Sequence, residues 1–156
     1  MKTKTILVTS ELGDKIAEKE NISFYKGEAE GTVLKIMPDM KKQAMDGIGS
    51  SFTESAAFVL AHLEPARRRE VMEAIFGEEG ANFTMARTHI GSCDFTLEGK
   101  YSYLEKEDDT TLETFSINPD YKGFSASDYP GVNDEKYDLL PMIKEALEIK
   151  RSQEDQ

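Results

Sequence analysis

The chain has 156 residues, of which 38% are hydrophobic and 31% charged, enough apolar material for one folded core. Its 30 acidic and 19 basic residues give a net charge of −11, which works against binding to phosphate backbones or anionic lipids. One cysteine excludes an internal disulfide and a cysteine-based zinc site, and two distant histidines do not complete a metal ligand set.

Along the chain, Met1 to Thr5 is polar, and Ile6-Leu7-Val8 is the only apolar stretch before polar residues return. That is too short for an export signal, so the expected location is the cytoplasm. The longest apolar run is also far below the roughly 20 residues of a membrane span. The glycosylation patterns Asn21-Ile22-Ser23 and Asn82-Phe83-Thr84 therefore carry no weight here. Strands are expected at Lys4 to Thr9, at Ile22 to Tyr25 and at Gly31 to Ile36, the last ended by Pro38 and Asp39. Glu11 to Asn21 reads as a charged loop with at most one helical turn. Residues 1–44 thus form a β-rich segment with too few strands to close by itself.

Residues 45–156 have a different character. Met45-Asp46-Gly47-Ile48-Gly49-Ser50-Ser51 allows a sharp turn and close backbone approach. Thr53 is the expected N-cap of a helix from Glu54 to about His62, with Glu54 as its first-turn charge. A second helix starts at Pro65, buries Val71, Met72, Ile75 and Phe76, and stops at Gly77. Arg67-Arg68-Arg69, bracketed by glutamates, reads as a solvated helix face. Asn82 to Gly91 reads as a strand and Ser92 to Asp134 as a long polar loop. The final helix runs from Tyr137 to about Arg151 with Pro141 in its first turn, and the tail from Ser152 should fray. Strand and helix alternating in this way are the beginning of an α/β arrangement with parallel strands.

Three stretches resemble glycoside hydrolase family 30, in its glucosylceramidase-like branch. They are Gly47-Ile48-Gly49-Ser50-Ser51-Phe52-Thr53-Glu54-Ser55-Ala56-Ala57; Phe76-Gly77-Glu78-Glu79-Gly80 with Arg87-Thr88-His89-Ile90-Gly91-Ser92-Cys93-Asp94-Phe95; and Tyr101-Ser102-Tyr103, Phe115-Ser116 and Leu140-Pro141-Met142-Ile143-Lys144-Glu145-Ala146-Leu147. The likeness covers most of residues 31–150 and is most specific from Arg87 to Phe95.

The resemblance implies the N-terminal portion of a (β/α)₈ barrel, with residues 1–44 in a β-sandwich side domain and 45–156 supplying the first two β/α units. A complete barrel takes about 250 residues. It implies a retaining glycosidase acting on a β-glucoside, either a glucosylceramide-like lipid or a β-glucan, with no cofactor and no metal. Retaining enzymes use two carboxyl groups roughly 5 Å apart. In the family these glutamates follow the fourth and seventh barrel strands, so no catalytic residue is assigned, and the chain is expected to be inactive without the remainder of the barrel.

Two substrate contacts carry over. Asp94 would accept hydrogen bonds from sugar hydroxyls, and Arg87 would orient carboxylates through its planar donor fork. Cys93 reads as a small buried filler rather than a nucleophile; His89 reads as core packing with pocket lining as the alternative, and Tyr101 and Tyr103 as loop packing with a sugar-stacking wall as the alternative. The alternative from another class is a non-catalytic module that binds carbohydrate or a partner.

Overall fold

The computed structural model describes residues 6–23, 25–28, 30–97 and 99–154. The chain forms two compact units that divide between Gln43 and Ala44.

In the first unit, β1 (Ile6–Val8) pairs antiparallel with β2 (Ala17–Lys19), with Ile6 opposite Lys19 and Val8 opposite Ala17. The intervening turn is tied by Ser10, whose Oγ donates to the Asp14 carboxylate at 2.8 Å, while Lys19 Nζ reaches the same group at 2.6 Å. The Lys19 ammonium, and then the Ser10 hydroxyl, hold the Asp14 carboxyl below its ordinary pKa.

Three expectations need correction here. The stretch read as a charged loop contains β2, because pairing with β1 organises Ala17–Lys19 despite weak strand preferences. Residues 31–36 form no strand: none of the described strands pairs with them, and Leu34 and Ile36 are 89% and 86% exposed. At 22–25 only Ser23 makes a single β-bridge, and Phe24 lies outside the described residues.

The second unit contains β3 (Gly49–Ser51), α1 (Glu54–Ala61), α2 (Pro65–Phe76), β4 (Met85–Arg87), a short 3-10 turn at Asn118–Tyr121 and α3 (Leu139–Glu154). Strands β3 and β4 pair in parallel, Gly49 opposite Met85 and Ser51 opposite Arg87, and α1 and α2 form the crossover. Flanking bonds extend the ladder, from Thr84 N–H to Ile48 O at 3.0 Å and from Phe52 N–H to Arg87 O at 2.8 Å. Gly49 permits this approach, since a Cβ there would stand 1.7 Å from Met85 O. The expected close backbone contact is real, but it lies within a strand. Of the strand expected over Asn82 to Gly91, only the centre forms. The described residues form no closed barrel.

The core lies on the helical side of this sheet. Ala57 and Ala61 of α1, Met72 and Phe76 of α2, and Leu139, Met142 and Ile149 of α3 are buried around Phe52 and Phe124. Phe52 meets Phe76 edge-on with ring centroids 5.2 Å apart. Small residues on α1 let neighbouring chain approach closely: Ala61 O accepts from both Asn133 N–H and Asp134 N–H, satisfying a carbonyl that the helix end leaves open.

Helix α2 ends at Gly77, as its sequence indicates, though the glycine is extended (φ −71°) rather than left-handed. A Cβ there would lie 2.4 Å from Glu73 O, so close approach selects glycine.

Two further expectations fail. Helix α3 does not fray at Ser152. It continues to Glu154, held by Ser152 Oγ to Ile149 O and by Gln153 Nε2 to Phe76 O. The arginine triplet is only partly a solvated face. Arg67 and Arg69 pair with Glu70 and Glu73 at the surface, but the Arg68 side chain is only 12% exposed. Its guanidinium bonds Asp134 at 2.9 Å, lies 3.4 Å from Glu145 and stacks 3.9 Å from the Tyr137 ring centre. These contacts clamp α2 to α3 and to the loop before α3.

Candidate functional site

Parallel strands deliver the residues that follow them to one edge of a sheet. After β3 that residue set begins Phe52-Thr53-Glu54; after β4 it includes His89 and Asp94.

Arg87 closes β4 and is exposed. It borders an open cavity of about 390 Å³ along the sheet with Ser50, Ser51, Met85 and Ala86. Asp94 lies exposed in a turn, beside Cys93, whose N–H donates to Thr96 Oγ1 at 2.9 Å. Among the described residues no ion pair and no side-chain hydrogen bond engages Arg87 or Asp94, so the structure places both at the carboxyl side of β4 but does not join them. Cys93 is half-buried and accepts a long 3.6 Å contact from the Thr96 hydroxyl.

The larger cavity, about 630 Å³, lies elsewhere and is lined by Glu54, Tyr101, Asn118, Tyr121, Lys122 and Asp138 among others. Glu54 is the unusual member. It is 6% exposed, and its Oε2 has no hydrogen-bond partner. Burial raises its pKa. The Thr96 hydroxyl opposes this rise and the Asp138 charge adds to it.

Thr53 is the N-cap residue of α1, as expected, but its side chain makes no cap bond. Thr53 shares a hydroxyl contact with Ser55, and the Glu54 N–H donates instead to His89 Nε2 at 3.2 Å. Nε2 therefore carries no proton, and Nδ1–H donates to Gly91 O at 2.5 Å. His89 thus ties the residues after β4 to the start of α1.

Two more acids are buried nearby, Asp138 in the cavity lining and Asp120 between the lining residues Pro119 and Tyr121. Asp120 accepts from the hydroxyls of both Tyr101 and Tyr103. Burial, and then the Asp120 bond, push both tyrosine pKa values up, so these hydroxyls remain donors. Asp138 accepts from Gly123 N–H at 2.8 Å and Leu139 N–H at 2.7 Å, while its carbonyl takes Met142 N–H at the start of α3.

An aspartate directly before an apolar helix is a readable cap signal. The burial of Glu54 and Asp120 has no local signal, because their neighbours come from distant loops. Among the described residues no group of three His, Cys, Asp or Glu side chains converges to hold a metal, and no helix is long and apolar enough to cross a membrane.

Residues 45–126, just over half the chain, match the sequence model of the glycosyl hydrolase family 30 TIM-barrel domain. The chain belongs to glycosyl hydrolase family 30. This family 30 chain is 28% identical over 87 residues to lysosomal acid glucosylceramidase of Mus musculus, covering 56% of the chain and 17% of the relative. It is 29% identical over 150 residues to putative glucosylceramidase 3 of Caenorhabditis elegans, covering 93% and 26%. It is 32% identical over 81 residues to endo-1,6-beta-D-glucanase of Neurospora crassa, covering 52% and 17%. The family 30 chain therefore spans about a quarter or less of the length of these relatives. The resemblance carried by the glycine-serine turn and the Arg87-to-Phe95 block is borne out at the level of the family. Its parallel β3–β4 pair and helical crossover agree with the opening of such a barrel.

Proposed function

We propose that this chain is the front part of a retaining glycoside hydrolase that cleaves β-glucosidic bonds, in a glucosylceramide-like lipid or a β-glucan, and that it is inactive alone. Residues 1–44 are assigned to a side domain and 45–156 to the first two β/α units of the barrel. One observation carries the reading: β3 and β4 run parallel through a helical crossover, Arg87 closes β4 and Asp94 follows at its carboxyl side. Barrel enzymes build their sites at that end.

The relatives' names support the substrate class, and the exposed, unengaged Arg87 and Asp94 suit groups that find their partners in substrate and in the rest of a barrel. Asp94 accepts from two sugar hydroxyls. Arg87 offers a fixed donor fork to carboxylates that the remaining barrel supplies. The acid/base and nucleophile belong to that remainder.

The test measures hydrolysis of an aryl β-glucoside by the chain alone and by the chain co-expressed with the missing part of the barrel from the C. elegans relative. The expected result is no turnover alone and turnover on reconstitution, with Asp94→Ala lowering kcat/KM about 100-fold, the equivalent of losing hydrogen bonds worth about 3 kcal/mol in the transition state. Turnover by the chain alone that disappears on Asp94→Ala refutes the inactivity. Reconstituted activity indifferent to both Arg87→Lys and Asp94→Ala refutes the site assignment.

A further inference from the structure

A buried acceptor without a partner costs about 1–3 kcal/mol, and native folds retain few of them. Glu54 Oε2 is one, on a residue that lines the cavity of about 630 Å³. That cavity is of a size that takes a small molecule. Its walls bring together the aromatic rings of Tyr101 and Tyr121, the amide of Asn118, the ammonium of Lys122 and the carboxyls of Glu54 and Asp138. Arg87 and Asp94 do not line it.

The lining chemistry narrows the ligand. An anion meets two buried acids. A metal ion lacks a converging donor set among the described residues. An organic cation meets Lys122 on the wall. A neutral hydroxyl satisfies the site in either protonation state, since it donates to an ionised carboxylate and accepts from a protonated one. Asn118 offers both a donor and an acceptor, and the tyrosine rings offer apolar faces for a C–H surface. Asp138 keeps its two backbone N–H bonds throughout, so it shapes the wall.

We propose that the cavity bounded by Glu54, Tyr101, Asn118 and Lys122 binds a small, neutral, hydroxyl-rich ligand of monosaccharide size. This does not rest on the glycosidase reading, which depends on Arg87, Asp94 and residues outside the chain.

The experiment titrates the isotope-labelled full chain with D-glucose and follows backbone amide shifts. Saturable shifts are expected at Tyr101, Lys122 and Gly123. Glu54→Leu should weaken binding at least about tenfold, whereas Glu79→Ala, an exposed residue outside the cavity lining, should leave it unchanged. Should Glu54→Leu fail to fold, Asn118→Leu at the rim serves as the second variant, with the same expected weakening. No saturable shift up to about 100 mM glucose, a Kd equivalent to less than about 1.5 kcal/mol of binding, overturns the proposal. So does binding that survives both cavity variants, or binding that Asp94→Ala abolishes, which places the sugar beside Asp94 instead. Loss of the reconstituted hydrolysis with glucose binding intact defeats the glycosidase reading alone.

Discussion

Replacing Glu54 by leucine should stabilise the folded chain at neutral pH and do so less in acid. The buried Oε2 without a partner costs about 1–3 kcal/mol, which leucine removes. Against this, the helix loses a first-turn carboxylate worth about 0.5 kcal/mol, and the interaction with Thr96 goes, at about 1 kcal/mol. The net is about 0.5 kcal/mol in favour of the variant, a Tm rise of roughly 1–2 °C for a chain of this size.

Burial raises the folded-state pKa of Glu54 above its unfolded value, so the folded state binds this proton more tightly. Its contribution is fully present below the unfolded value and is lost as pH rises through the raised one. The wild type therefore gains on the variant in acid, and the difference between them grows as pH rises toward neutrality. Thermal unfolding by far-UV circular dichroism, on monomeric fractions at acidic and neutral pH, measures both effects. A variant less stable than wild type at neutral pH, or a difference that does not change with pH, refutes the reasoning.

Gly49→Ala should break the β3–β4 pairing at a cost of about 3 kcal/mol, because the new Cβ meets the Met85 carbonyl and neither backbone can yield. Loss of amide protection at Phe52 and Thr84 on hydrogen exchange is the readout. Arg68→Ala should cost about 3 kcal/mol by removing the cation shared by Asp134 and Glu145; Arg68→Lys should recover little, since a point charge cannot serve both acids and stack on Tyr137, and denaturant midpoints compare the three proteins. Asp109 is buried and held down to about pKa 2, chiefly by the Thr114 hydroxyl and then its N–H. Its folded pKa is depressed, so its contribution is present above the ordinary carboxylate value and lost as pH falls through about 2. Amide shifts of Glu113 and Thr114 should accordingly stay native at mildly acidic pH and move only at the lower limit.

The three helices were legible because each carries its own signals. Pro65 starts α2, Gly77 stops it, and Met72 and Phe76 repeat at the spacing of one buried face. Helix α3 shows the same in Leu139, Met142, Ala146 and Ile149. The short strands were less legible, since a strand is completed by a partner that its own residues do not specify. Val33, Leu34 and Ile36 have strand composition and remain exposed and irregular, whereas Ala17–Lys19, with poor composition, pairs with β1. The Arg87-to-Phe95 block revealed the family but not the cavity. Glu54 looks the same in sequence whether it is a solvated first-turn charge or a buried acid. The difference comes from His89, Thr96 and Asp138, which lie 35, 42 and 84 positions farther along the chain.

Those same partners suggest why a destabilising carboxyl is retained. His89 fixes where α1 begins, Asp138 fixes where α3 begins, and Tyr101 and Tyr103 anchor the intervening loop to Asp120. Each of these polar groups has its hydrogen bonds met, and Glu54 among them does not. A fold that needed only packing at this point would be served better by leucine, as the first prediction states. If Glu54→Leu proves both more stable and unable to bind glucose, the carboxyl is kept for a ligand at the expense of stability. A stabilised variant that binds glucose as well as wild type would make Glu54 a structural defect that the surrounding loops tolerate.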